Sequence, residues 1–311
     1  MKRAYVSLHR RLSEQEMVRM KSTELGEIYT IDLWTGTVLA DPIPIVPGYD
    51  IFGCTGRSHG ARGITFHDGM MYVADSGKTL FKIDPDTFQI VDSITYPEFA
   101  GLHQIKSHHG LLHVVSTSND RLFRLKDDEI VDEVYFGDWS SLIDGYSGRY
   151  NAPWGTGRLH CNSVGWDEEG NEYAVFHTNS MIFQLNTGTV FFHSEGEVWN
   201  PHDIMFHQGN IIINNTQRKT TGTIDPDTKE FTEIFAVTDE QQPDKVSCVT
   251  NSWGHTRTLV DMGDIIAVGS IPFKIHLLKL DRGTYRHFAT HDLTNNPLQA
   301  IYDIALDPRD W

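Results

Sequence analysis

The run HDIMFHQGNIIINNTQRKTTGTIDPDTKEFTEI, residues 202–234, packs four β-prone segments into one short stretch. Ile, Phe and Thr fill the segments, while Gln208-Gly209, Thr216 to Lys219 and Asp225-Pro226-Asp227 fall between them. Extended runs bounded by Gly, Asn, Asp and Pro are what antiparallel strands and their tight turns require. The stretch reads as one four-stranded meander.

The same grammar recurs. GITFHDGMMYVAD (63–75) leads into FKIDPDTFQIV (81–91), and HQIKSHHGLLHVVS (103–116) into FRLKDDEIVDEV (123–134). NSVGWDEEGNEYAVF (162–176) leads into FQLNTGTVFF (183–192), and TRTLVDMGDIIAV (256–268) into LLKLDRGTYRHF (277–288). Four-stranded units repeating every roughly 40–55 residues have the size of β-propeller blades. The expected fold is all-β, a six-bladed β-propeller forming a single domain over 1–311. Five blades are placed at about 62–96, 102–136, 159–193, 201–236 and 255–289. The sixth is split: AIYDIAL (within 300–307) joins RAYVSL, GEIYTIDL and TVLA from residues 1–40. Ser13 and Glu16 have capping-box spacing, which predicts a short helix near 13–21.

Composition narrows the function. With 26 basic and 42 acidic residues the net charge is −16, which argues against nucleic acid as a partner. No apolar stretch is long enough for a membrane span, and the N-terminus lacks a signal-peptide core. Cys54, Cys161 and Cys248 are scattered and odd in number, so reduced thiols and a cytoplasmic location are expected. Neither a Walker loop nor a GxGxxG followed by a helix is present, so no nucleotide cofactor is expected.

In a propeller the first strand of each blade lines the central channel. Aligning the units on their turns brings His103, His160, His202 and His255 to one end of that channel, each from a separate blade. Neutral imidazoles crowded together suit a transition metal such as Zn, Fe, Cu or Mn, with those four residues as ligands. Asp203, beside His202, would orient a ligand ring or act as a base, with Arg218 a further catalytic group. Arg62, Arg257, His59, Asn162, Tyr302 and Trp154 are the expected substrate-binding residues, the arginines pointing to an anionic small molecule. His67, His108 and His207 flank the opposite turns, where surface or hairpin roles are expected.

A resemblance adds a second reading. LHCNSVGWDEEGNEYAVFHTNSMIFQLNTG (159–188) followed by PHDIMFHQGNIIINNTQR (201–218) resembles the HxNSV…HD…N…R core of arylsulfotransferase-like propellers. It implies metal-free group transfer, with His160, Asn162, His202 and Arg218 at active-site positions and His255 as the candidate carrier of the sulfuryl group. A non-catalytic ligand-binding or scaffold propeller is the third reading.

Overall fold

The structure, a computed structural model, describes residues 1–11, 26–45, 58–139, 159–194, 197–238, 254–293 and 299–310. Apart from short 3-10 turns, the described residues form only β-structure, and none of their helices is long and apolar enough to cross a membrane. The segment expected as a helix near 13–21 lies outside the described residues, as do Cys54 and Cys248.

The chain begins with β1 (Arg3–Arg11), β2 (Gly26–Asp32), β3 (Thr37–Val38) and β4 (Ile43–Ile45). Five meanders follow. They are β5 (Ser58–His67) to β6 (Met70–Asp75), β7 (Thr79–Ile83) and β8 (Ile90–Thr95); then β9 (Leu102–His108), β10 (Leu111–Ser116), β11 (Arg121–Lys126) and β12 (Glu129–Tyr135). Next come β13 (Cys161–Trp166), β14 (Glu172–Phe176), β15 (Met181–Gln184) and β16 (Thr189–His193). The fourth is β17 (His202–His207), β18 (Asn210–Asn215), β19 (Thr220–Ile224) and β20 (Phe231–Ala236). The fifth is β21 (Thr256–Asp261), β22 (Ile265–Ser270), β23 (Lys274–Asp281) and β24 (Thr284–Asp292). The last strand, β25 (Gln299–Leu306), pairs antiparallel with β1.

Local chemistry explains the turns. Asp68-Gly69 and Gln208-Gly209 both hold positive φ at two successive residues (47° and 77°, 49° and 76°), the signature of a two-residue type I′ hairpin. The repeated IDPDT closes a different turn: the Asp84 carboxylate accepts the amides of Asp86 and Thr87, and Asp225 does the same for Asp227 and Thr228.

Packing is between neighbouring sheets. Tyr72, Ala74 and Leu80 meet Leu102, Ile105 and Val114, while Val115 and Leu122 meet Val164, Phe176 and Phe183. Val175 and Ile182 meet Ile204 and Ile213, and Ile212 meets Leu259, Ile266 and Val268. Ala267, Ile275 and Leu277 pack on Val6, Ile31 and Ile304, and Tyr5, Ile28 and Ala305 pack on Ile64, Val73 and Phe81. The run of apolar layers thus returns to the sheet where it began. The strands β5, β9, β13, β17, β21 and β25 contact one another in that order, and β25 contacts β5.

Two features of the N-terminal sheet go beyond the sequence reading. β1 does not stop at Leu8: His9 to Arg11 continue past their own sheet and pair with Ser58 to Gly60 of β5. β2 also carries two partners on its outer side, β3 at Ile31–Asp32 and β4 at Gly26–Ile28.

Two of the three histidines at the opposite turns are not surface residues, while His108 is half-buried. His67 and His207 are buried, and each joins two sheets. His67 Nδ1 meets the Ser107 hydroxyl at 2.9 Å; His207 Nδ1 meets the Tyr285 hydroxyl at 2.5 Å, and its Nε2 donates to the Gly263 carbonyl. Replacing Tyr285 by Phe leaves that buried ring nitrogen unsatisfied. The expected loss is about 1–2 kcal/mol of stability, read as a lower urea midpoint with an unchanged slope.

Candidate functional site

The strands β5, β9, β13, β17, β21 and β25 each slip out of register with a partner near one end. The slips lie between Ala61 and Ile64, Leu102 and Ile105, Cys161 and Ser163, His202 and Ile204, Thr256 and Thr258, and Ile301 and Asp303. A β-bulge leaves a residue out of the ladder and re-aims its side chain. One residue at or beside each slip is Arg62, His103, Asn162, His202, Arg257 or Tyr302, and all of these but Asn162 join one polar cluster.

Ring geometry shows the convergence. The His103 ring lies 5.9 Å from His160, 5.8 Å from His202 and 4.9 Å from Tyr302. His177, from the turn after β14, sits 4.8 Å from His160 and 5.3 Å from His202. The Arg62 guanidinium lies over the Tyr302 ring at 5.4 Å and donates to the Leu102 carbonyl. His9 closes the far side, 5.1 Å from Tyr302. Arg62, His103, His202 and Tyr302 are buried, whereas His160, His177, His255 and Arg257 are half-buried, so solvent meets the cluster on their side.

Hydrogen bonds settle the state of His202. Arg257 Nη1 is hydrogen-bonded to His202 Nε2. A guanidinium only donates, so Nε2 presents its lone pair and Nδ1 carries the hydrogen. Nδ1 accordingly donates to the Asn200 carbonyl at 3.0 Å and to the Thr216 hydroxyl oxygen at 2.8 Å, while Thr216 passes its own proton to the Thr256 carbonyl. The His103 Nε2 is hydrogen-bonded to the Tyr302 hydroxyl.

The cluster is electropositive on a protein of net charge −16. Burial, then Arg62 and Arg257, hold His160 down to about 3. Burial and the same two arginines push His103 well below the ordinary imidazole value; burial and Arg257 are the leading causes for His202, and burial, His160 and Arg257 for His177. Burial raises Tyr302 to about 12. At neutral pH the cluster therefore holds four uncharged imidazoles, a protonated phenol and two guanidinium cations.

Several expected roles change. The Asp203 carboxylate is engaged by its surroundings: it accepts from Ile204 N, Leu259 N and Lys106 Nζ at 2.9, 2.7 and 2.9 Å, fixing a residue whose φ is +47°. Asp303 does the same for Ile304 N and Ile64 N, and Thr258 bridges the two carboxylates. Both acids lock bulges. Arg218 is exposed and pairs with exposed Glu197 at 2.6 Å. Asn162 is buried and donates to the Pro201 carbonyl, supporting the strand that carries His202. His255 is half-buried, and its charge when protonated disfavours protonation of His177. Trp154 and the His59 side chain lie outside the described residues.

The four expected metal ligands divide unevenly. His103, His160 and His202 converge, but the Nε2 atoms of His103 and His202 are engaged by Tyr302 and Arg257. Among the described residues, no three His, Cys, Asp or Glu side chains surround one point as ligands. His177 and His9 were not singled out as site residues. The signal for His177 was its place at the end of the second strand in the unit that begins with His160. For His9 it was the continuation of alternation through SLHRR.

Comparison with solved structures places the fold. A Bacteroides caccae protein of unknown function matches over 99% of both chains, with TM-score 0.58 and 9% identity. A catalytically inactive histidine-to-alanine virginiamycin B lyase from Staphylococcus aureus, with quinupristin, matches over 94% of this chain and 90% of its own, with TM-score 0.55 and 12% identity. A chain of the nidogen/laminin complex matches over 97% and 98%, with TM-score 0.62 and 10% identity. The architecture is that of a β-propeller. No protein-family model matches the chain, and no curated protein matches its sequence.

Proposed function

We propose that the chain is a six-bladed propeller closed by β25 in the sheet of β1, and an enzyme that acts on a small anionic organic molecule at the axial cluster. The carrying observation is that two guanidiniums share one cluster with uncharged imidazoles, Arg257 on His202 and Arg62 over Tyr302. Arg62 and Arg257 flank Tyr302 in strand order, so a carboxylate, phosphate or sulfate held there lies between two cations. The imidazoles on the opposite arc then face the rest of the substrate. His202 presents the basic Nε2, and the Tyr302–His103 couple supplies a hydroxyl proton, which is the division of labour that general acid–base catalysis requires.

A transition metal at the same place would need the Arg257–His202 and Tyr302–His103 contacts to open. Sulfuryl transfer through His255 has less support, because Arg218 is drawn to Glu197 at the surface. That a propeller can carry histidine-dependent lyase chemistry is illustrated by the virginiamycin B lyase, whose histidine-to-alanine form is inactive.

The test is a library of carboxylates and of phosphate and sulfate esters, followed by mass spectrometry. The expected result is turnover of an anionic compound by wild type, lost by 100-fold or more in His202→Gln, a loss typical for one acid–base group. Binding without turnover of any anion would replace the enzyme by a ligand-binding propeller. Elemental analysis runs in parallel: one equivalent of Zn, Fe, Cu or Mn, lost on His103→Ala and His160→Ala, would replace the metal-free reading.

A further inference from the structure

In the structure the basic atom of His202 is blocked. Its Nδ1 proton is committed to Asn200 and Thr216, so Nε2 is the one nitrogen that can accept a proton, and the Arg257 guanidinium stands on it. A proton cannot take that position while a cation occupies it. We infer that Arg257 is a cap on His202 which the anionic group of the substrate removes, so that the base is armed by the molecule it acts on. The inference rests on the anion-binding reading of the site.

The exchange has a clear direction. A guanidinium hydrogen bond to an anionic oxygen is charge-assisted and roughly twice as strong as one to a neutral acceptor such as imidazole, and a carboxylate or sulfate can be held by two parallel bonds. Arg257 is half-buried, so an incoming anion meets it before it meets the buried His202. Once the guanidinium turns to the anion, its positive charge no longer stands on Nε2 and is neutralised by the anion. Among the described residues His103 and His177 also face His202 and disfavour a proton there, each less than Arg257 does. Thr216 and Asn200 hold the ring in place throughout. The consequence is proton uptake from solvent, or from the substrate, onto Nε2 only when the anion is bound. A free site would thus be guarded against stray protonation.

Anion binding and protonation of His202 must then be linked, and linkage is reciprocal. The probe is sodium sulfate, which keeps its charge across the range used, with sodium chloride at equal ionic strength as control. Calorimetric titrations at pH 6.5 in two buffers of unlike ionisation enthalpy measure protons taken up per sulfate bound. Wild type should bind sulfate and take up a measurable fraction of a proton. His202→Gln should still bind sulfate but take up none. In the intact protein the same event appears in imidazole ¹⁵N spectra: one histidine of the Nδ1–H tautomer gains imidazolium character on adding sulfate. Sulfate binding without uptake, or with equal uptake in His202→Gln, overturns the cap while leaving the anion site standing. No sulfate binding by wild type overturns both.

Discussion

A chain lacking residues 300–311 is expected not to fold. The deleted strand pairs with β1 from Ala4 to Leu8 and buries Ile301, Tyr302, Ile304 and Ala305. Burying one large apolar side chain is worth roughly 1.5–3 kcal/mol, so Ile301 and Ile304 alone approach the lower end of a domain's net stability of about 5–15 kcal/mol. The loss does not end with those side chains. Removing the strand bares one flank of β5, where Asp303 holds the Ile64 amide, and the facing flank of β21, where Thr258 binds Asp303. It also removes Asp307, which receives Tyr5 and Arg309, and Asp310, which accepts the Arg3 amide. Circular dichroism and gel filtration should report an expanded or aggregated chain, and a peptide of residues 299–311 added in trans should restore part of the native signal. A soluble truncated chain with an unchanged melting temperature would rule out this closure.

Acid should unfold the protein well before ordinary carboxylates titrate. Histidines in an unfolded chain take up protons below about pH 6.5. The buried imidazoles do not follow until their lowered values are reached, about 3 for His160 and for His276, the latter buried in β23 and hydrogen-bonded to Ser270 and Thr290. The unfolded state therefore binds more protons across this window. Stability is full above pH 6.5 and falls as pH drops. At about 1.4 kcal/mol per unit, these two residues together cost roughly 4 kcal/mol by pH 5. His103, His177 and His202 are lowered by the same burial and add in the same direction. Asp303, raised by burial and by neighbouring Asp203, acts in the opposite direction and offsets only part of the total. Urea midpoints at pH 7, 6 and 5 should fall steeply, and His160→Gln should flatten the slope. A midpoint constant over this range would mean that the imidazoles are solvated or charged in the fold.

Much of this was legible from residue order because turn chemistry is local. Asp68-Gly69, the two IDPDT turns and the alternation of the strands between them need only neighbouring residues to act, and the four-stranded units follow. Aligning those units also brings His103, His160, His202 and His255 to one end of the channel, and the first three meet in the cluster. What could not be read was direction. A bulge shifts a side chain by a turn of the strand that no periodicity announces, so Asp203 and His202, adjacent in sequence, part company: one locks backbone amides and the other enters the cluster. The engagement of His202 by Arg257 joins residues from two sheets, 55 positions apart, and depends on both bulges. The same holds for Arg218, whose partner Glu197 decides its fate.

The reach of β1 across β2, β25 and β5 also bears on how the molecule comes into being. Its pairing with β25 joins residues about 300 positions apart, among the most distant contacts the chain could make. Closing such a loop carries a large entropic barrier, and topologies dominated by distant contacts fold slowly. β1 is made before the five meanders and β25 after them, so the edge of β1 from Ala4 to Leu8 lacks that partner while they are synthesised, although His9 to Arg11 can already pair with β5. An open strand edge is a site for wrong pairing and aggregation. The nascent chain therefore carries that stretch of open edge while all five meanders are made, and the sheet of β1 is completed only when β25 arrives.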